Sequence, residues 1–207
     1  MVKKMENSNS IQNTEPRTQP LEPLRVVFMG SAEISCLSLD ALLRDSGVDV
    51  VGVVSQPDRR KGRSLHIAEC PVKAHVAGMD IPVTSPENIN TPEFVEQLCA
   101  WMPDLVVVLA YGQILKPEVL DVARLGCVNV HTSLLPKYRG AAPIQWAIVN
   151  GDSETGVTIM HMDKGMDTGD IILQRTVWIG AEETAGELHD HLAVVGAELL
   201  CEAVRDI

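Results

Sequence analysis

The chain has 207 residues, of which 45% are hydrophobic and 22% charged, and a formal net charge of −11. This composition excludes disorder throughout, and the longest apolar stretch, Leu105 to Tyr111, is far shorter than the roughly 20 residues that cross a bilayer. We therefore expect a soluble protein with no membrane partner. The five cysteines are spread singly without a C-x-x-C pair, which predicts reduced thiols in the cytoplasm and no zinc site.

The first 22 residues are polar and lack apolar periodicity, so we predict a disordered lead followed by one domain over residues 23–207. In that domain, short apolar runs alternate with helical patterns. The predicted strands are 25–30, 48–55, 81–84, 105–110, 126–131, 156–162 and 170–179.

Five helices are predicted between or after these strands. The first buries a face of Ile34, Leu37, Ala41 and Leu42, and two short helices cover 72–76 and about 142–150. Thr91 is the predicted N-cap of a helix that starts at Pro92 and buries Phe94, Leu98 and Met102. A capping box of Thr184 and Glu187 opens the last helix, whose inner face is Leu188, Leu192, Val195 and Leu199.

Alternating strands and helices predict an α/β fold with a Rossmann-like, doubly wound, mostly parallel sheet. In such sheets, ligands bind outside the carboxyl ends of the strands, where the strand order reverses. The first strand–helix junction has only Gly30 where a dinucleotide fold carries G-x-G-x-x-G, which argues against NAD or FAD.

Two polar residues end the strand at 126–131. Asn129 and His131 are two positions apart, so both side chains point to one face of the strand at its carboxyl end. An amide that donates hydrogen bonds beside an imidazole that moves a proton suits acyl-group transfer, in which an oxyanion forms and the attacking group loses a proton. A lone histidine at a strand end is more often a satisfied polar residue.

The segment 161–170 contains three aspartates, Asp163, Asp167 and Asp170, among glycines. Its spacing does not fit a calcium-binding loop, because Gly165 stands where a ligand is required. One aspartate could reach and orient His131, or the segment could be a solvated turn.

Two alternative nucleophiles fit less well. Ser133 with His131 suggests a hydrolase triad, but no G-x-S-x-G motif is present. Cys127 lies deeper in the same strand and is predicted to be a packing residue.

His189 and His191, two positions apart on a helix, do not converge as metal ligands.

A basic cluster follows the second strand: Arg59, Arg60, Lys61 and Arg63 stand within five positions of an otherwise acidic chain. A loop of this composition is either a solvated surface turn or a finger that binds phosphates.

Taken together, the segments LRVVFMGS, QPDR with GR, VVLAYGQIL, NVHTSLLPKYRGAAPIQ and GDSETGVTIMHMDKGMDTGD closely resemble the methionyl-tRNA formyltransferase family over Leu24 to Ile207. The resemblance implies Asn129, His131 and Asp167 as the catalytic trio, with direct formyl transfer, no acyl-enzyme and no metal. It also implies 10-formyltetrahydrofolate as co-substrate, bound by Ser133, Leu134, Leu135 and Pro136, with a pterin pocket near Ile114 and Leu115.

By the same resemblance, Arg59, Arg60, Lys61 and Arg63 contact the methionyl initiator tRNA, and we expect a monomer. Thr132 stands where the family usually has glycine. The chain stops at Ile207, about where the family's linker to a C-terminal β-barrel domain begins, so that domain is expected to be absent. The alternatives are a small-amine or sugar-amine formyltransferase, a deformylase that releases formate, and a non-catalytic folate- or RNA-binding module.

Overall fold

The structure is a computed structural model that describes residues 22–61 and 66–207. The predicted lead therefore lies outside the described residues except for Glu22, and Arg63 lies outside them as well. The strands are β1 (Leu24–Gly30), β2 (Val48–Val54), β3 (Arg59–Lys61), β4 (His66–Ala68), β5 (Val83–Thr84), β6 (Leu105–Leu109), β7 (Cys127–His131), β8 (Glu154–His161) and β9 (Ile171–Trp178). The helices are α1 (Ile34–Arg44), α2 (Pro71–His75), α3 (Pro92–Ala100), α4 (Pro117–Leu120), α5 (Pro143–Val149) and α6 (Ala185–Asp206).

Seven strands form one sheet in the order β5-β2-β1-β6-β7-β8-β9. Pairing is parallel from β5 to β7 and antiparallel from β7 to β9, which confirms the predicted mostly parallel α/β sheet. The chain winds outward from β1 through β2 to β5 and then returns to the other side of β1 at β6. The strand order reverses between β1 and β6, so this edge is where a ligand site is expected.

Both faces of the sheet are covered, as the continuous apolar strands require. Along β1, Val26 and Phe28 pack into one buried cluster, while Val27 and Met29 pack into a second cluster on the other face. The first cluster includes buried residues of α1 and α6, and the second includes residues of α3 and α4. The sheet is thereby a rigid support for the loops at its carboxyl end.

Both predicted helix caps are confirmed. The Thr91 side chain accepts a hydrogen bond from the N–H of Phe94 at the start of α3. Thr184 and Glu187 form a complete capping box at the start of α6. Each cap satisfies N–H groups that the first helical turn leaves without a partner.

Two predicted core positions are wrong. Met102 is 68% exposed because α3 ends at Ala100 and Met102 takes a left-handed conformation (φ 47°), which turns the chain toward β6. Leu37 is 43% exposed on α1, where Leu39 is buried instead. The α1 face that packs on the sheet is thus displaced from the face that the apolar spacing predicted.

The basic segment after β2 is not only a loop. Its residues 59–61 pair antiparallel with residues 66–68 as the separate two-stranded ribbon β3–β4. Asp58 lies at the base of this ribbon, where its carboxylate accepts hydrogen bonds from the N–H of Cys70 (3.1 Å) and from Lys73 Nζ (2.6 Å). Both hydrogen bonds lower the pKa of Asp58, and the bond from Lys73 has the larger effect.

No helix among the described residues combines the length and the hydropathy that a membrane span requires.

Candidate active site

A cleft of about 640 Å³ opens at the carboxyl ends of β6 and β7. Its lining comes from the start of α1, the loop after β6, the end of β7, the start of α5 and the 161–170 segment. Asn129, His131 and Asp167 all lie in this lining. The cleft therefore lies at the place that the reversal of strand order predicts.

The predicted trio meets in this cleft. Asn129 Nδ2 donates to Asp167 Oδ1 at 3.4 Å, and His131 Nδ1 lies 3.7 Å from Asp167 Oδ2. The His131 and Asp167 side chains are only 8% and 16% exposed. The structure thus brings together two residues of one strand and an aspartate 38 positions later in the chain than Asn129.

The tautomer of His131 follows from its second contact. Its Nε2 lies 2.9 Å from the backbone oxygen of Tyr138, and a carbonyl oxygen can only accept a hydrogen bond. In the neutral ring, the proton is therefore on Nε2 and the lone pair is on Nδ1, the nitrogen beside Asp167. The Nδ1 lone pair therefore faces the Asp167 carboxylate, whose Oδ2 lies 3.7 Å away.

Asp167 is held by the backbone of another loop. Its Oδ2 accepts the N–H of Gly140 at 2.7 Å, and its own φ is 51°, a left-handed value. The segment folds back closely at Gly169, where an added Cβ would lie 2.0 Å from the His161 carbonyl oxygen. A side chain at Gly169 would push the segment away and displace the carboxylate from His131.

Two further residues of the cleft adopt a left-handed backbone conformation although they are not glycine. They are Ala110, directly after β6, and Ala142, directly before α5. Such conformations cost energy and persist where the surrounding structure enforces them, often at functional sites. The strain here lies around the catalytic candidates.

A smaller cavity of about 240 Å³ adjoins the cleft and shares part of its lining, including Ile114, Met162 and Asp167. Leu115 and Met160 complete its apolar walls, and residues 163–167 also line it. The cavity lies where the resemblance implies a pterin pocket, and both Ile114 and Leu115 line it. Ile114 is 75% exposed, an apolar surface that a bound ring would cover.

The segment Ser133–Pro136 does not line either cavity. Ser133 is fully buried and its hydroxyl donates to the Lys137 carbonyl, while the N–H of Leu135 donates to Thr158 Oγ1. In this structure, these residues hold the turn that leads from β7 toward α5. Their direct contact with folate stays a prediction.

The alternative nucleophiles are not arranged for attack. Ser133 directs its hydroxyl away from His131, to a carbonyl oxygen. Cys127 is 2% exposed, and burial raises its pKa to about 12, so it stays a thiol at neutral pH. Within residues 22–61 and 66–207, no group of three or more His, Cys, Asp or Glu side chains could hold a metal ion.

Sequence reasoning missed three contributors to the site. The carbonyl of Tyr138 and the N–H of Gly140 are backbone groups that no residue-type pattern reveals, although the Arg-Gly dipeptide marks a turn there. His189, which the sequence did not assign to the site, reaches the cleft lining from α6 and contacts Asp190 through Nδ1 at 2.9 Å. His191 lies 3.8 Å from Glu183 and is not part of the cleft.

Comparison with known proteins identifies the family of this chain. The family model described as "Formyl transferase" matches residues 24–204. Methionyl-tRNA formyltransferase of Desulfotalea psychrophila is 52% identical over 185 residues, which are 89% of this chain and 57% of that protein. The enzyme of the same name from Acetivibrio thermocellus is 52% identical over 184 residues, covering 89% of this chain and 59% of that protein. The chain thus spans a little over half the length of these curated relatives.

Among solved structures, glycinamide ribonucleotide transformylase 1 from Geobacillus kaustophilus is similar, with a TM-score of 0.71, 27% identity, and coverage of 89% of this chain and 97% of that one. The sequence match over most of the chain and the similar fold therefore both indicate a formyltransferase. The chain belongs to the formyl transferase family.

Proposed function

We propose that this chain transfers the formyl group of 10-formyltetrahydrofolate to the amino group of methionyl initiator tRNA. The observation that carries the proposal is the meeting of Asn129, His131 and Asp167 in the cleft. The 52% identity to methionyl-tRNA formyltransferases supports the choice of acceptor. Two activities remain possible outcomes of the test: transfer to a small amine, and release of formate.

His131 would take the proton that the amine loses as its nitrogen bonds to the formyl carbon. Its Nδ1 lone pair is available because Nε2–H is already bonded to Tyr138. The resulting imidazolium is stabilised by Asp167, 3.7 Å away and itself fixed by the Gly140 N–H. The same proton can then pass to the leaving nitrogen, so the ring returns to its starting state.

Asn129 would stabilise the charge that develops on the formyl oxygen. The Nδ2 amide carries two hydrogens, and only one is needed for the contact with Asp167. The second can donate into the cleft. Removing one such donor from an acyl-transfer site costs roughly 100- to 1000-fold in turnover.

The smaller cavity suits the pterin end of the co-substrate. The apolar side chains of Ile114, Leu115 and Met160 can pack on a flat ring, and polar groups of residues 163–167 can pair with its polar edge. Since this cavity shares Asp167 with the larger cleft, a ring held there leaves its substituent beside the trio. Folate supplies the formyl group, and the larger cleft is left for the acceptor.

The acceptor RNA would be held by the basic ribbon. Arg59, Arg60 and Lys61 lie on β3, which with β4 forms a two-stranded ribbon separate from the main sheet, and Arg63 follows in the sequence. Clustered basic residues supply affinity for phosphates even on a chain whose net charge is −11. Repulsion from the acidic remainder is reduced if the RNA contacts mainly this ribbon.

The test is formyl transfer from 10-formyltetrahydrofolate to methionyl initiator tRNA by the full chain, at low and at physiological salt. We expect activity that Asn129→Ala reduces at least about 100-fold and that falls steeply with salt. A small aminosugar and a no-acceptor reaction, followed by formate release, run in parallel. Faster transfer to the aminosugar, or formate release without acceptor, would overturn the choice of tRNA as acceptor.

A non-catalytic binding module is the remaining alternative. It predicts that His131→Ala leaves the outcome of every assay unchanged, because no turnover exists to lose. Transfer by the unaltered chain that His131→Ala abolishes would exclude it.

A further inference from the structure

We propose that Tyr138 is a positioning residue: its side chain, anchored to Asp152, holds its own backbone carbonyl where that oxygen keeps the proton of neutral His131 on Nε2. The consequence for rate rests on the proposed function, in which His131 accepts a proton at Nδ1. The positioning itself is a property of the free protein and can be measured without substrates.

Two acceptors compete for the ring proton of His131. The Tyr138 carbonyl lies 2.9 Å from Nε2, within hydrogen-bond distance, whereas Asp167 Oδ2 lies 3.7 Å from Nδ1, beyond it. A carboxylate is the stronger acceptor, so a modest loss of the Tyr138 bond would let the proton move to Nδ1. In that tautomer, Nδ1 has no lone pair with which to take a proton from an amine.

The Tyr138 carbonyl is aimed at His131 by an unusual backbone conformation. Tyr138 has φ 57°, a left-handed value that side chains other than glycine, asparagine and aspartate rarely adopt. A bulky residue stays in this region only where other contacts hold it. Tyr138 must therefore be held in this conformation by its other contacts.

The side chain of Tyr138 makes the contacts that stabilise this backbone conformation. The Tyr138 hydroxyl donates to Asp152 Oδ2 at 2.6 Å and accepts from Asn150 Nδ2 at 2.8 Å. Lys137 Nζ contacts the same Asp152 oxygen at 2.7 Å and lies 5.0 Å from the centre of the Tyr138 ring. The hydrogen bonds of Lys137 and then of Tyr138 lower the pKa of Asp152, which keeps it an ionised acceptor at neutral pH.

The chain on either side is fixed as well. Before Tyr138, the Lys137 carbonyl accepts from the Ser133 hydroxyl at 2.5 Å. After it, the Gly140 N–H donates to Asp167 Oδ2 at 2.7 Å. This short segment thus contacts both His131 and Asp167, and the Tyr138 ring is its anchor between those two points.

The test uses the full chain with ¹⁵N-labelled histidine imidazoles and long-range proton–nitrogen NMR, at a pH where the His131 ring is neutral. His131→Gln identifies the signals of that ring. We expect the Nε2–H tautomer in the unaltered protein and a mixture of tautomers in Tyr138→Phe, which loses only the hydroxyl. Asp152→Asn, which keeps an acceptor oxygen but loses the Lys137 ion pair, is expected to give a smaller change in the same direction.

Arg205→Met is the matched control, because it removes an ion pair of similar length, 2.8 Å to Asp45, from residues that line neither cavity. It should leave the His131 signals unchanged. In formyl transfer, Tyr138→Phe should lower kcat about two- to tenfold, in proportion to the loss of the Nε2–H tautomer, with KM for folate unchanged.

An unchanged Nε2–H tautomer in Tyr138→Phe would overturn the proposal, whether or not kcat falls, because a lower rate would then have a different cause. If the unaltered chain transfers no formyl group to tRNA, the proposed function fails, while the tautomer measurement still decides the role of Tyr138.

Discussion

The backbone N–H of Gly140 donates to Oδ2 of Asp167 at 2.7 Å, and this bond joins the loop before α5 to the loop after β8. The same carboxylate oxygen lies 3.7 Å from His131 Nδ1. A side chain fixed by a backbone group cannot swing away when the ring becomes charged. The carboxylate is therefore held beside the ring in advance, which is the preorganised arrangement that the proposed proton transfer requires.

Replacing Asp167 tests this charge directly. Asp167→Asn keeps the size of the side chain and tolerates the left-handed backbone, but it removes the charge that, in the proposed function, stabilises protonated His131. We expect kcat for formyl transfer to fall about 100-fold, measured against the unaltered chain, with folate binding retained. Asp170→Asn, on the same segment but outside both cavities, is the control and should keep full activity. An Asp167→Asn enzyme with more than half the normal kcat would contradict the assigned role.

Neutralising the basic ribbon tests RNA binding. In the double variant Arg59→Gln with Arg60→Gln, kcat/KM for methionyl-tRNA should fall, and its logarithmic dependence on salt should weaken by about two units of slope, roughly one per phosphate contact. Arg44→Gln with Arg124→Gln removes the same charge from side chains that are 78% and 68% exposed elsewhere. Equal salt slopes in the two double variants would show that the ribbon contributes only net charge.

A glycine in β8 tests the packing beneath the site. A Cβ at Gly156 would lie 2.2 Å from the Arg175 carbonyl oxygen and 2.6 Å from Leu134, and backbone atoms cannot give way cheaply. Gly156→Ala should lower the free energy of unfolding by about 1–3 kcal/mol, measured by urea denaturation. Gly186→Ala on α6, whose nearest neighbour is 3.9 Å away, should instead raise it by about 0.5 kcal/mol. A Gly156→Ala variant as stable as the unaltered chain would show that the β8–β9 pairing adjusts more easily than this geometry allows.

Acid should destabilise the fold in part through Asp104. Its hydrogen bond from the Arg25 N–H and its contact with Arg124 lower the pKa of Asp104 in the folded state. A lowered pKa contributes stability that is present above the unfolded value of about 3.9 and is lost as the pH falls through the folded value. Asp104→Asn should therefore be less stable at pH 7 but lose less of its thermal midpoint between about pH 5 and pH 3.

Asp80→Asn is the control for this measurement. Asp80 is exposed, and the described part of the chain gives it no ion pair. Its thermal midpoint should fall between about pH 5 and pH 3 by the same amount as that of the unaltered protein. If the midpoint of Asp104→Asn also falls by that amount, Asp104 is not a source of the acid sensitivity.

Most of the sheet and the helix starts could be predicted from local sequence. Short apolar runs identify strands such as β6, and Thr91 and Thr184 mark helix starts because the caps are local contacts. The exposure of Leu37 and Met102 could not be predicted, since the helix face that is buried depends on how α1 and α3 dock on the sheet. The β3–β4 ribbon was missed because its strands are three residues each and lack an apolar alternation.

The strand pattern was enough to predict that Asn129 and His131 share one face at the end of a strand, because successive strand residues alternate between faces. Which of three aspartates joins them depends on contacts made in the folded chain. Asp167 is selected by its left-handed backbone and the Gly140 N–H, contacts between segments far apart in the chain. The proton on His131 is likewise set by the Tyr138 carbonyl, and a backbone group carries no sequence signal. The residue types in the sequence can therefore indicate which groups are candidates for the reaction, but long-range backbone contacts fix the geometry of those groups.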